Sequence, residues 1–198
     1  GKFICHCSGS LSSAIFSEIT EAGAYGYSIH PMFPFNSKTT SYEELREALF
    51  TLEGCQEHKD QMLSFLCALP NRIVEIQAEK KVRYHAAAVM ASNQMAALMN
   101  QALNLLQDCG FTPQEGLAAL APLVRQNLEN ILDSGPKEAL TGPVERNDVS
   151  TVTRHLGALS GEEKEIYVPL CRELVRIARD RHPSRSYEHM ERILEEEH

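Results

Sequence analysis

The sequence has no cluster of basic residues. Its 198 residues carry 27 acidic and 19 basic side chains, a formal net charge of −8, and the Lys and Arg are dispersed. Nucleic-acid recognition needs cations gathered against phosphate, so no such partner is expected. No apolar run approaches the length that spans a bilayer, and no N-terminal signal pattern is present. A cytoplasmic protein without a membrane partner is therefore expected. The six cysteines, Cys5, Cys7, Cys55, Cys67, Cys109 and Cys171, lack the spacing of a disulfide framework and read as reduced thiols. Cys5-His6-Cys7 suggests a metal, but no CxxC or HxxxH accompanies it. On a strand the two thiols face one way and the imidazole the other, so no metal site is expected.

What is present suits a globular chain, with 43% hydrophobic and 23% charged residues, long enough for one large or two small domains. Short apolar runs alternate with helical patterns through the first third. Lys2–Cys7, Ala24–His30, Ala48–Glu53 and Arg72–Gln77 read as strands. SGSLSS opens a helix to about Ala22, and Gln56–Leu69 reads as another. Pro31 and Pro34 mark HPMFPFNSK as loop. Ser41-Tyr-Glu-Glu44 fits a capping box. Strands separated by helices imply a parallel or mixed sheet with helices on its faces. Four strands beginning at the first residues read as the later half of a larger doubly wound sheet.

After Gln77 only helical patterns remain. Glu79–Gly110 reads as one long helix with no Pro and no internal Gly before its closing glycine. Lys81, His85 and Ser92 share a line along it, with Asn93, Asn100, Asn104 and Gln107 on the adjacent strip. That strip needs a partner helix, water or ligand, since unpaired buried polar groups are costly. Thr112–Glu115 and Ser160–Glu163 are capping boxes for two further helices, with a kink at Pro122 and a stop at Gly135-Pro136. Asn147 or Asp148 caps a helix to about Leu159, and Ser186–His198 reads as a short peripheral helix. The expected division is an α/β part over residues 1–78 and an all-helical part over 79–198.

In open α/β sheets, ligands bind beyond the carboxyl ends of the strands. Those ends carry His6-Cys7-Ser8-Gly9-Ser10 and His30-Pro31. The small-residue loop either packs strand against helix or receives a polar or anionic ligand at a helix N-terminus. His30 and His85 are either satisfied structural histidines or acid–base groups, and Asn93 lies two turns beyond His85. In ALTGPVERND, Arg146 either pairs with Asp148 or reaches a substrate carboxylate or phosphate.

HCSGSLSS, SIHPMFPF, YHAAAVMASN and ALTGPVERND, in that order, resemble a bacterial family that joins a Rossmann-like domain to a C-terminal helical domain of unknown function. Its members are described as predicted NADP oxidoreductases. Wider relatives are pyrroline-5-carboxylate reductase, ketopantoate reductase and the 6-phosphogluconate dehydrogenase type of helical domain. The resemblance runs to about Leu159. It implies a partial Rossmann-like sheet followed by a 6-phosphogluconate dehydrogenase-like helical domain, NADP as cofactor, and a homodimer through the helices. It further implies that His85, Ser92 and Asn93 face the nicotinamide cleft as catalytic groups, with Ser8, Gly9, His30 and Pro31 on the opposite wall as cofactor contacts. Arg146 and Asn127 are the expected substrate contacts. Two departures stand out. The GxGxxG turn that holds the pyrophosphate is absent, so the chain is expected to be a fragment lacking its first βαβ unit. Asn147 stands where the family pattern has Gly. The expected activity is hydride transfer to or from a small carbonyl, imine or alcohol. The alternative is a non-catalytic ligand-binding or dimeric scaffold.

Overall fold

The computed structural model describes residues 1–35, 37–39 and 41–196. Asn36 of the HPMFPFNSK loop and His198 of the terminal helix lie outside the described residues. The chain divides into two compact units, Gly1–Met99 and Asn100–His198.

In the first unit β1 (Lys2–His6), β2 (Ala24–Met32), β3 (Leu49–Gly54) and β4 (Ile73–Glu75) form one sheet in chain order. β1 and β2 are parallel, β2 and β3 antiparallel, β3 and β4 parallel. Side chains alternate across a strand, which sorts β2 and β3 onto two chemically distinct faces. One face buries Tyr27 and Leu52 against Met62 and Leu66 of α1 (Lys59–Leu66). The other carries Ser28 and His30, opposite Glu53 and Thr51 respectively.

Pro31 belongs to β2, where it pairs with Phe50, rather than to the loop that its residue type suggested. β1 ends at His6 opposite Ser28, so beyond that point β2 has a neighbour on one side only. A strand with one open side tolerates proline. The expected helix after SGSLSS is a 3-10 turn, Ser13–Phe16. The backbone then continues in tight turns, with Ile19, Ala22 and Gly23 each donating three residues back. The β-branched Ile15, Ile19 and Thr20 favour helix weakly.

The long helix is broken as well. α2 (Lys81–Ala91) and α3 (Asn93–Asp108) meet at Ser92, whose φ of −124° and ψ of −78° are not helical. The Ser92 hydroxyl donates to the Ala88 carbonyl at 2.7 Å. Back-bonding of this kind bends helices, which accounts for a break that composition alone did not signal. Gly110, at φ 93°, closes α3 as expected.

The second unit is all helical. α4 (Pro113–Ala139) begins at the Thr112–Glu115 capping box and kinks at Gly135, φ 80°. α5 (Val149–Ala158) is capped by Asp148, and α6 (Gly161–Arg181) by the Ser160–Glu163 box. α7 (Glu188–Glu195) is not peripheral: Tyr187, Met190 and Leu194 are buried in one core with Val152, Leu156 and Val175. Among the described residues, no helix is long and apolar enough to cross a membrane. The fold is α/β followed by a helical C-terminal part.

Candidate functional site

The polar face of the sheet, at the carboxyl ends of β1 and β2, gathers most of the residues singled out from the sequence. α2 presents Lys81, Tyr84, His85 and Ala88 on one stripe, spaced three or four residues apart. His30 is aligned by the Tyr84 hydroxyl, 2.8 Å from its Nδ1, and its ring stands edge-on to Tyr84. The His30 and His85 ring centroids are 6.3 Å apart. Gly9 is the backbone that both rings approach. A methyl group there would lie 2.5 Å from Cδ2 of His85 and 2.9 Å from Nε2 of His30, so a side chain at this position would displace a ring.

Lys81 lies beneath. It is fully buried and donates to the Ser28 hydroxyl at 2.5 Å and to the Ser8 carbonyl at 3.1 Å. Ser28 in turn donates to the same carbonyl at 3.2 Å. Burial pushes the Lys81 ammonium below its ordinary range, partly offset by the carboxylate of Glu53. Glu53 accepts from the backbone amide and hydroxyl of Ser13, both at 2.7 Å. The first turn after SGSLSS therefore already has a carboxylate against its amide. Burial also lowers the His30 imidazolium, followed by the charge of Lys81 and then His85.

His30 and His85 open onto a cavity of about 710 Å³, also lined by Met32, Phe33, Phe35, Val89, Ser92 and Asn93. The structure thus brings together His30, His85, Ser92 and Asn93, with Gly9 against the two histidines. Ser8 is tied in through Lys81, and Pro31 is the buried residue after His30. Asn127 on α4 and Arg146 in the following turn are exposed residues of the helical unit. Asp148 is held below the carboxylate range chiefly by the Thr151 hydroxyl and amide, with Arg146 the smallest contribution. Asn147 takes the left-handed conformation, φ 58°, that a glycine would adopt, and donates to the Ser186 carbonyl at 2.9 Å.

Lys81 and Tyr84 were missed as site residues. Lys81 stood on the same helical line as His85, so a signal existed, but its burial depends on which sheet face α2 covers. The six cysteines are free, and among the described residues no group of three or more His, Cys, Asp or Glu could hold a metal ion.

Residues 48–174 match the domain of unknown function DUF2520. The chain belongs to the DUF2520 family. It is similar to the crystal structure of protein TM1727 from Thermotoga maritima, at 31% identity and a TM-score of 0.70, over 88% of this chain and 69% of that one. It is also similar to BF3122 from Bacteroides fragilis, named a "putative NADP oxidoreductase", at 22% identity and a TM-score of 0.62. That likeness covers 91% of this chain and 65% of the other, and shows the fold. No curated protein matches.

The Ser8 carbonyl, just before Gly9, accepts from Lys81 at 3.1 Å. The buried Thr51 hydroxyl, in register with His30, has no hydrogen-bond partner among the described residues.

Proposed function

We propose that this DUF2520 chain is part of an NADP-dependent oxidoreductase related to pyrroline-5-carboxylate reductase, ketopantoate reductase and the 6-phosphogluconate dehydrogenase type. In this reading residues 1–78 are a partial Rossmann-like domain, and residues 79–198 serve substrate binding and dimerisation. The name of the Bacteroides fragilis neighbour supports the reaction class. The observation that carries the reading is the His30–Tyr84 pair with His85, packed on a side-chain-free backbone at the strand ends and opening on a cavity.

Ser8, Gly9 and His30 would line the nicotinamide side, and bound NADP would supply or accept the hydride. Pro31 would offer only its backbone, because its ring, next to His30 on β2, turns to the other face. The His85 ring makes no hydrogen bond to another described residue, which leaves a nitrogen for the substrate. His85 then gives or takes the proton at the reacting oxygen or nitrogen. His30 is oriented by Tyr84, and its lowered proton affinity favours the neutral ring. Asn93 and Ser92 would orient the substrate, and Arg146 and Asn127, on the helical unit of this chain or of a partner copy, are the proposed contacts for an anionic group on it.

Incubation of a version extended upstream to include any glycine-rich turn with NADPH and a panel of small ketones and imines, followed by loss of reduced nicotinamide, tests the reading. Turnover is expected, falling about a hundred-fold or more in His85→Ala, the usual scale for a lost acid–base group. No turnover on any member, with no calorimetric heat on adding NADPH, favours the second reading. That reading is a dimeric scaffold, supported by the apolar side chains that α4 leaves exposed.

A further inference from the structure

Among the described residues, the cavity beside His30 and His85 has a wall that is hydrocarbon except at four side chains. Those four are His30, His85, Ser92 and Asn93. The single Ser92 hydroxyl proton is taken by the Ala88 carbonyl at 2.7 Å, with Asn93 Oδ1 at 3.1 Å, so toward a guest Ser92 acts only as an acceptor. Among the described residues no Asp, Glu, Lys or Arg lines the space.

The hydrocarbon comes from two sources. Because β2 runs on through Pro31, its exit delivers Met32, Phe33 and Phe35 to the cavity, the two phenyl rings edge-on at 5.6 Å. Opposite them α2 and α3 offer the small side chains of Ala88 and Ala96, with Val89 between. Met32 and Phe35 remain 42% and 54% exposed, so apolar area at the mouth of the cavity stays in water. Large apolar groups facing alanines across about 710 Å³ leave room for a ring-sized apolar guest. A charged substituent here would lose its water and find no counter-charge.

We infer that the substrate carries an uncharged apolar group next to its reacting carbonyl or imine carbon, a phenyl ring or a branched aliphatic chain of similar size. The assignment rests on the oxidoreductase reading for the reacting group, and on the cavity alone for the apolar one.

The apolar site is tested without cofactor or turnover. Acetophenone, methyl isopropyl ketone and acetone share one reacting group and differ in the substituent. Each is titrated into the chain while the His30 and His85 imidazole resonances are followed by NMR. Acetophenone and methyl isopropyl ketone are expected to shift both resonances saturably, binding roughly ten-fold or more tighter than acetone, as burial of several apolar carbons requires. Ala88→Phe, which fills the space, should abolish saturation while circular dichroism stays unchanged. Phe35→Ala, at an exposed position, should weaken binding several-fold without affecting folding. Equal affinity for all three ketones, no shift with any, or unaltered binding in Ala88→Phe overturns the assignment. Selective binding without NADPH-dependent reduction leaves the apolar site standing and removes the oxidoreductase reading. Reduction that is indifferent to the substituent does the reverse.

Discussion

His30 sits where burial, an ammonium group and a second imidazole all oppose its protonation. Unfolding removes all three, so in acid the unfolded chain takes up a proton that the folded chain refuses. Stability is therefore full above the ordinary imidazole range and falls as pH drops through that range toward the lowered folded value. Urea midpoints measured at about pH 7 and about pH 5 should differ, and the difference should shrink in His30→Gln. An unchanged difference would mean that other histidines carry it. Gly9 makes a second residue-scale case. Gly9→Ala must move the His30 or His85 ring, with an expected destabilisation of roughly 1–3 kcal/mol, read by urea denaturation. The same variant should shift both imidazole resonances. The placement of both histidines was legible, one after a strand and one on a polar helical line. Lys81 was not, because a lysine on a helix is exposed by default and only the covering sheet face decides otherwise.

At the scale of elements, local chemistry was readable and tertiary chemistry was not. The Thr112–Glu115 and Ser160–Glu163 capping boxes formed as their residues require, since every partner lies within one turn. The break at Ser92 turns on whether one hydroxyl bonds to water or to Ala88, and no propensity records that choice. Proline in β2 depends on where β1 stops, a fact about another segment. α7 looked peripheral because it is short and acidic, yet Met190 and Leu194 are completely buried. Leu194→Ala is accordingly expected to destabilise the helical unit by about 2–5 kcal/mol, as full-size core truncations do. Thermal denaturation followed at a helical signal reads this directly, and a shift of under about 0.5 kcal/mol would return α7 to the surface.

For the whole molecule, the open question is what covers α4. Leu117, Leu128, Ile131 and Leu132 fall within one stripe of that helix and are 53%, 38%, 42% and 75% exposed. Such a row on a chain of net charge −8 keeps apolar area in water that a second copy could bury, and the charge makes indiscriminate association unfavourable. The homodimer through the helices, implied by the family resemblance, is proposed to use this stripe. Light scattering should then return twice the 22.1 kDa chain mass. Leu128→Asp with Leu132→Asp should shift the equilibrium to monomer, since each leucine moved from contact to water is worth roughly 1.5–3 kcal/mol, or about ten- to a hundred-fold in affinity. Both positions are surface positions within the protomer, so its helical content should be unchanged. A wild-type chain that stays monomeric across the accessible concentration range would remove the dimer and the scaffold reading together, and would leave the His30–His85 cavity as the chain's functional feature.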